Sequence, residues 1–350
     1  MKAVIVPEFG DPDVLTLAAL ARPEPGPGEV RVQVHASFVA FGRDVRVRSG
    51  KHPKFAREVT LPHVLGGEHA GIVDAVGAGV SETLLGMRVA VSAPVACADC
   101  EPCRQERPWD CEHVTAIGIH RQGSNAEYTV VPAVNLQELP RGLRFEHAAA
   151  FAASGPLAWE ELDTSRAQPG EWVFVPGASG SVGTFVVALA KRRGANVIAA
   201  TRGRRAAGEL AGLGADAVVD SAAADLADRL REVSPRGVDV VVDNVADAGL
   251  WRRYWPAVAR RGRIVLAGQA SNHGEPLPVD VVGYYNRRAT LTGLTVGDPR
   301  PVAAFWAELR QHSLDMPAEL VETFPLSRAA DAHRRVQSGG KIGHVVLSIR

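Results

Sequence analysis

The sequence contains no apolar run approaching the roughly 20 residues that span a bilayer, which argues against a membrane-spanning helix. The N-terminal apolar stretch, residues 3–6, ends at Pro7 and is too short for the core of a secretory signal. The sequence also has no net charge, because its 39 Lys and Arg side chains balance its 39 Asp and Glu side chains. No basic surface for nucleic acid or an anionic membrane is indicated. We therefore expect a cytoplasmic protein whose partner is a small-molecule substrate.

The sequence also has no cysteine outside one short window. Its four cysteines are spaced by two, two and seven residues: Cys97, Cys100, Cys103 and Cys111. In a chain without a secretory signal, clustered thiols are better interpreted as metal ligands than as disulfides. Four thiolates close a tetrahedral zinc shell and leave no open position, so we predict a structural zinc. We expect Pro94, Asp99 and Pro102 to keep this segment non-helical; a redox-active pair of Cys100 and Cys103 is the alternative.

The 350 residues are enough for two domains with separate cores. The first part of the chain alternates apolar and polar residues in short strands with turn signals, as in residues 29–36, and predicts an irregular β domain. From about Gly170, apolar runs alternate with helical segments. Such alternation predicts an α/β domain with a doubly wound parallel sheet.

A glycine-rich loop follows the predicted strand Trp172 to Val175 and opens an apolar helix. Strand, tight turn and helix start occur in the order that a dinucleotide site requires. Gly180 lets the backbone approach the pyrophosphate, and Gly183 lets the helix pack on the strand. The helix N-terminus offers unpaired N–H groups to the phosphates. The predicted loop contacts are Ala178, Ser179, Gly180, Ser181, Val182 and Gly183; the alternative is a simple glycine-rich turn.

Basic residues stand where a carboxylate would bind the ribose of NAD. About 20 residues beyond the glycine loop, the next predicted strand ends in Thr201, Arg202, Gly203, Arg204 and Arg205. Forked guanidinium donors suit a phosphate monoester, so this turn favours NADPH over NADH. A solvated basic turn without a ligand is the alternative.

These features together resemble the medium-chain dehydrogenase/reductase superfamily, the group of zinc alcohol dehydrogenases and quinone oxidoreductases. The resemblance implies a GroES-like domain over residues 1–150, with a structural-zinc loop at 94–113 and completion by residues 298–350. It implies a Rossmann domain over residues 151–297, in which Asn244 and Gly268 also contact the cofactor. It further implies a homodimer that pairs the strand Leu291 to Val296 of each subunit.

The departures from that family concern its catalytic zinc. Zinc members carry ligands at positions where this chain has Phe41, Gly67 and Ala153. Since a catalytic zinc needs about three protein ligands, the sequence predicts that this zinc is absent. A metal rebuilt from Asp44, Glu68 and His69 is the alternative.

Without a Lewis acid, isolated alcohols and aldehydes become poor substrates. A conjugated acceptor spreads the incoming charge and can be served by hydrogen bonds. We therefore expect hydride transfer from NADPH to an α,β-unsaturated carbonyl or a quinone. The candidate catalytic residues are Arg43, Asp44, Glu68 and His69.

Alternatives remain open for these residues and for the function. Arg43 and Arg46 either contact substrate or are loop arginines paired structurally with Asp44 or Glu68. His69 is either a proton donor or a buried histidine, and Tyr128 belongs to packing. Two other functions fit the same sequence: a metal-free carbonyl or iminium reductase of a biosynthetic pathway, and a non-catalytic NADPH-binding protein.

Overall fold

The computed structural model describes residues 1–203, 206–268, 275–295, 298–314, 316–340 and 342–350, without the side chain at position 153. The chain divides into two compact units. The first unit comprises Met1–Pro156 and Gly297–Arg350, and the second comprises Leu157–Val296. Among the helices of the described residues, none has the length and apolarity to cross a membrane.

Strands occur throughout both units. In chain order they are β1 Lys2–Val6, β2 Thr16–Ala19, β3 Glu29–Phe38, β4 His63–Val64, β5 His69–Val76, β6 Arg88–Val91, β7 Pro94–Val95, β8 Thr115–Ala116, β9 Tyr128–Pro132, β10 Leu136–Glu138, β11 Trp172–Val175, β12 Asn196–Thr201, β13 Ala217–Asp220, β14 Val238–Asp243, β15 Val258–Leu266, β16 Thr290–Gly293, β17 Val321–Pro325 and β18 His344–Ser348.

The α-helices are short except for α3, α4 and α9 in the following series. They are α1 Arg46–Arg48, α2 Glu101–Arg104, α3 Phe145–Ser165, α4 Ser181–Arg192, α5 Ala207–Gly212, α6 Leu226–Val233, α7 Ala248–Tyr254, α8 Val281–Arg287, α9 Pro299–Gln311 and α10 Ala329–Gln337.

The first unit is built on one large, mostly antiparallel sheet in the order β10-β6-β5-β3-β18-β17, with β9 also paired to β3. The C-terminal strand β18 pairs antiparallel with β3 through Val346 and Phe38, so the end of the chain completes a sheet begun near its start. Valines of β3, β5 and β6 alternate inward, and Val30, Val73 and Val89 belong to one buried cluster.

The second unit contains a six-stranded parallel sheet in the order β13-β12-β11-β14-β15-β16. This order reverses direction at β11, the topological switch point of a doubly wound fold. Phe174, Trp251 and Tyr254 lie in a buried cluster against the sheet. The predicted fold class, an α/β chain with a GroES-like irregular β domain and a doubly wound Rossmann domain, is confirmed.

Two local expectations are corrected. The cysteine segment is not wholly non-helical, because Glu101–Arg104 forms one helical turn. Pro102 stands in the first turn, where a missing N–H removes no hydrogen bond. The strand expected at Leu291 to Val296 is shorter: β16 ends at Gly293, and position 296 lies outside the described residues.

Candidate active site and metal centre

The four cysteines converge on one point of the first unit. Their sulfur atoms all lie within 4.8 Å of one another. The Sγ atom of Cys97 is 3.9 Å from that of Cys103 and 3.5 Å from that of Cys111, and Cys100 Sγ is 3.9 Å from Cys111 Sγ. Zinc–sulfur bonds of about 2.3 Å in a tetrahedron require sulfur–sulfur edges of about 3.8 Å. The cluster therefore fits a zinc shell of four thiolates.

The backbone around Cys97 favours its thiolate form. The N–H groups of Asp99 and Cys100 lie 3.5 and 3.3 Å from Cys97 Sγ. They lower the pKa of Cys97 to about 6. Ala98, between Cys97 and Asp99, adopts a positive φ of 60°. Metal binding needs the thiolate, so the loop is chemically as well as geometrically suited to zinc.

The dinucleotide loop of the second unit connects β11 to α4. Gly177 has a positive φ of 68°, a backbone conformation that favours glycine. A Cβ atom at Gly183 would stand 2.5 Å from the carbonyl oxygen of Gly177 and 2.7 Å from Cα of Ala178. Gly183 thus allows α4 to pack on the loop, as its position in the motif predicts.

The other predicted loop contacts surround the N-terminus of the 12-residue α4. Gly180 caps this helix, and Ser179, Ser181 and Val182 are half-buried beside it. Within the described part of the chain, a Cβ at Gly180 would meet only the Gly177 carbonyl oxygen, at 3.2 Å. The loop therefore leaves its backbone open at the helix end where phosphates bind.

The basic turn follows β12 as expected. Thr201 is buried and its Oγ1 donates to Ser179 Oγ over 3.4 Å, which joins the end of β12 to the glycine loop. Arg202 is exposed directly after it. Arg204 and Arg205, also predicted to bind the cofactor, lie outside the described residues. The carboxylate of Asp220 accepts the N–H groups of Gly203 and Ala222, at 3.1 and 2.9 Å.

Asn244 and Gly268 meet at the ends of β14 and β15. A Cβ atom at Gly268 would stand 2.9 Å from the carbonyl carbon of Asn244. The next residue, Val245, places Cγ2 at 2.7 Å from the Cβ position of Gly177. The turn after β14 therefore contacts both the glycine loop and the end of β15.

In the first unit, Arg43, Asp44 and Glu68 form one ion-paired cluster. Arg43 lies in a π-helical turn, Phe41–Val45, and its side chain is 12% exposed. Its Nη1 and Nη2 atoms donate to the two Glu68 carboxylate oxygens over 3.0 and 2.6 Å, and its Nε atom donates to Asp44 over 3.2 Å. Burial opposes the charge, but Asp44 and Glu68 outweigh it and raise the pKa of Arg43.

Backbone groups fix the position of Asp44. Its side chain is 1% exposed. Its carboxylate accepts the N–H of Ala40 at 2.8 Å and that of Gly66 at 3.3 Å. The structural pairing of Arg43 is therefore observed with both acidic residues.

Gly67, which the resemblance predicts to stand at a metal-ligand position, is in contact with the Arg43 guanidinium. A Cβ atom at Gly67 would stand 2.5 Å from Cζ of Arg43 and 2.7 Å from Cβ of Ala93. A histidine at position 67 would need the volume that Arg43 occupies. Phe41, at another ligand position, is 40% exposed.

His69 is fully buried. Its Nδ1 atom lies 2.7 Å from the Gly67 carbonyl oxygen, which assigns the ring hydrogen to Nδ1. Burial lowers the pKa of His69 to about 4, so the ring is neutral at physiological pH. The other ring nitrogen, Nε2, is buried and has no hydrogen-bond partner among the described residues.

Two further residues complete the predicted set. Tyr128 packs under the Arg22 guanidinium, 4.0 Å from its ring centroid, and its hydroxyl accepts from Arg350 over 3.2 Å, which agrees with a packing role. Arg46 is half-buried on α1. Glu161, a buried acid on α3 beside Asn244, is not among the residues predicted from the sequence. The helical spacing of the sequence could have indicated it. Glu161 shares one face of α3 with Ala158, Leu162 and Ser165, at positions i, i+3, i+4 and i+7, and this face is buried.

Each of the two units contains residues that match a known protein family. Residues 26–141 match the family described as the alcohol dehydrogenase GroES-like domain, and residues 181–311 match the zinc-binding dehydrogenase family. An L-threonine 3-dehydrogenase of Anaeromyxobacter sp. (strain Fw109-5) is 31% identical, with 93% of each chain covered. The crystal structure of an NAD-dependent alcohol dehydrogenase is similar at 34% identity and a TM-score of 0.91, with both chains covered completely.

A crotonyl-CoA carboxylase/reductase in complex with NADP shares the fold at 22% identity and a TM-score of 0.89, over 100% of this chain and 95% of that one. These matches define a class of nicotinamide-dependent oxidoreductases of the zinc-binding dehydrogenase type. The chain belongs to the medium-chain dehydrogenase/reductase superfamily.

Proposed function

We propose that the chain is an NADPH-dependent reductase that transfers hydride to an α,β-unsaturated carbonyl or a quinone, with one structural zinc and no catalytic zinc. The observation that carries this proposal is the Arg43 guanidinium beside Gly67. It fills the space that a ligand side chain at position 67 would require. The nearby carboxylates of Asp44 and Glu68 are already bonded to it, so this donor set does not fit a zinc ion.

Arg43 supplies a fixed hydrogen-bond donor at this place. A guanidinium has five N–H donors. Four bonds to Asp44 and Glu68 leave one hydrogen on Nη1 without an acceptor among the described residues. In the proposed reaction this N–H donates to the substrate carbonyl oxygen and stabilises the negative charge that develops there. Asp44 and Glu68 hold the guanidinium in one orientation, and His69 supports the Gly67 backbone against it.

The second unit supplies the cofactor site. NADPH, when bound, supplies the hydride that adds to the β-carbon of the acceptor. The N-terminus of α4 offers its N–H groups to the pyrophosphate, and Arg202 offers a guanidinium to the 2′-phosphate. The Asp220 carboxylate is engaged by two backbone N–H groups, which supports NADPH over NADH. Cys97, Cys100, Cys103 and Cys111 would hold the structural zinc and fix their loop.

The test combines metal analysis with substrate turnover. We expect one tightly held zinc per chelator-washed chain, and NADPH oxidation with enones or quinones but not with simple aldehydes. A second zinc, with turnover that depends on it, would overturn the metal-free assignment. Turnover of aldehydes or imines alone would favour the carbonyl or iminium reductase. Tight NADPH binding without turnover of any acceptor would favour a binding protein.

We also propose that the protein is a homodimer that pairs β16 with its symmetry mate. Within the described residues β16 is paired on one side only, with β15. Leu291 on this edge is 38% exposed, and Val281, Val282 and Tyr285 on the neighbouring helix α8 are 67% exposed or more. An open sheet edge beside exposed apolar side chains favours pairing with another strand. Sedimentation equilibrium giving a monomer at micromolar concentration would exclude this dimer.

A further inference from the structure

The second unit contains a buried acid that the proposed reaction does not use. Glu161 lies on α3 with 0% exposure, and neither carboxyl oxygen has a hydrogen-bond partner in the described part of the chain. The Asn244 side chain lies next to it, and Asn244 Nδ2 is also buried without a partner there. The two groups are neighbours that fall outside strict hydrogen-bond geometry. Buried polar groups in this state are rare and call for an explanation.

The turn beside Glu161 is held by a second buried carboxylate. Asp243 is 0% exposed and accepts the N–H groups of Val245 and Ala246, at 2.8 and 3.0 Å, and the hydroxyl of Tyr254, at 2.9 Å. These three donors leave no hydrogen for Glu161. Ala246 has a positive φ of 53°, so the turn is tightly constrained.

This turn is also part of the dinucleotide site. Val245 Cγ2 packs against Gly177 of the glycine loop, and the Asn244 carbonyl packs against Gly268. In a packed interior a displacement of one group is transmitted to its neighbours. A change at Glu161 that moves Asn244 therefore moves the backbone that shapes the glycine loop.

The charges around Glu161 disfavour its ionised form. Burial raises the pKa of Glu161 to about 8; Asn244 opposes this shift, and the carboxylates of Asp243 on β14 and Glu160 on α3 add to it. Burial likewise raises the pKa of Asp243, to which Asp247 contributes, and Asp243 in turn faces the Tyr254 hydroxyl. The groups facing Glu161 from both elements are thus acidic or neutral.

We propose that Glu161 is a positioning residue of the dinucleotide site: as a neutral acid it supports Asn244 and the turn after β14, and its ionisation displaces that turn and weakens NADPH binding. This inference rests on the proposed function only in placing NADPH at the glycine loop. A small shift of the two side chains would let the neutral carboxyl donate its proton to Asn244 Oδ1 and accept a hydrogen bond from Asn244 Nδ2. The ionised form loses the donor and repels Asp243.

The experiment measures the NADPH dissociation constant by fluorescence titration from pH 7 to 9.5, without an acceptor. If binding requires the neutral acid, the dissociation constant rises about tenfold between pH 7 and 9, as a group with a pKa of about 8 dictates. The Glu161→Gln variant, which keeps the shape and cannot ionise, should give a flat profile in this range. Glu160→Gln, on the adjacent position of α3, is the matched control and should keep the rise in the dissociation constant, with its midpoint moved slightly to lower pH because the Glu160 charge is removed.

A flat wild-type profile, or a Glu161→Gln variant that follows the wild-type rise, overturns the inference. Since the wild-type profile needs no variant, the test holds even if Glu161→Gln fails to fold; Glu161→Met then serves as the second non-ionising variant. Failure to bind NADPH at any pH would overturn the proposed function instead. Binding that is independent of pH would overturn only the role of Glu161.

Discussion

The contact between Gly67 and Arg43 predicts that one added methyl group disrupts the ion-paired cluster. In Gly67→Ala the new Cβ atom would stand 2.5 Å from Arg43 Cζ, about 1 Å closer than a van der Waals contact. The guanidinium must move by about that distance and lose its paired bonds to Glu68. Overpacking costs about 1–3 kcal/mol, and the weakened ion pair with Glu68 adds to that cost. We therefore expect Gly67→Ala to lower the free energy of unfolding by about 3 kcal/mol.

A double-mutant cycle in urea denaturation separates this contact from general crowding. In an Arg43→Ala background the two guanidinium contacts are removed and the contact with Ala93 Cβ at 2.7 Å remains, so Gly67→Ala should destabilise clearly less than in the wild-type background. Gly42→Ala is the matched control, since a Cβ there meets no atom within 4 Å, and it should change stability by less than about 0.5 kcal/mol. Equal losses for Gly67→Ala in both backgrounds would refute the assignment of Arg43 to this space. NADPH oxidation with the best acceptor should fall at least tenfold in Gly67→Ala.

Three further predictions concern pH, cofactor and metal. Because the pKa of Glu161 is raised from 4.5 to about 8 in the folded protein, the free energy of unfolding falls as the pH rises from about 4.5 to 8. Glu161→Gln should recover roughly 3 kcal/mol of it at pH 7 in urea denaturation. An equal slope of stability against pH in both proteins would contradict this. Arg202→Ala should raise the dissociation constant of NADPH about tenfold and leave that of NADH unchanged; equal effects would argue for a solvated turn. Cys100→Ser should abolish the tightly held zinc and lower the free energy of unfolding by at least about 2 kcal/mol, whereas retained stability would favour a dithiol.

The fold followed from local patterns because its parallel sheet is assembled from short continuous segments. The apolar runs at β11, β12 and β14 and the glycines of the loop are contiguous in sequence, so their periodicity and order predict them directly. The four-cysteine cluster could also be predicted, since its ligands are close together in the sequence. The helical turn at Glu101 was missed because Pro102 is a helix breaker in general but tolerated at a first turn.

The site residues depend instead on contacts distant in sequence. Gly67 and Arg43 are 24 positions apart, and no local sequence pattern predicts that the Arg43 guanidinium lies against Gly67. Glu161 and Asn244 are 83 positions apart and belong to different elements. Glu161 could have been suspected from its place on the buried stripe of α3, but its neighbour could be identified only once the sheet order was known.

In the proposed function, a guanidinium takes the place of a metal ligand, and this exchange bears on the direction of the proposed reaction. A zinc ion lowers the pKa of an oxygen bound to it, so it can assist the loss of a proton from an alcohol as well as polarise a carbonyl. The Arg43 guanidinium keeps its protons at physiological pH and only donates hydrogen bonds. Asp44 and Glu68 are already paired with it, so neither is free to act as the base that alcohol oxidation needs. A fixed donor of this kind stabilises charge that conjugation has already delocalised, and it therefore favours reduction of a conjugated acceptor over oxidation of an alcohol.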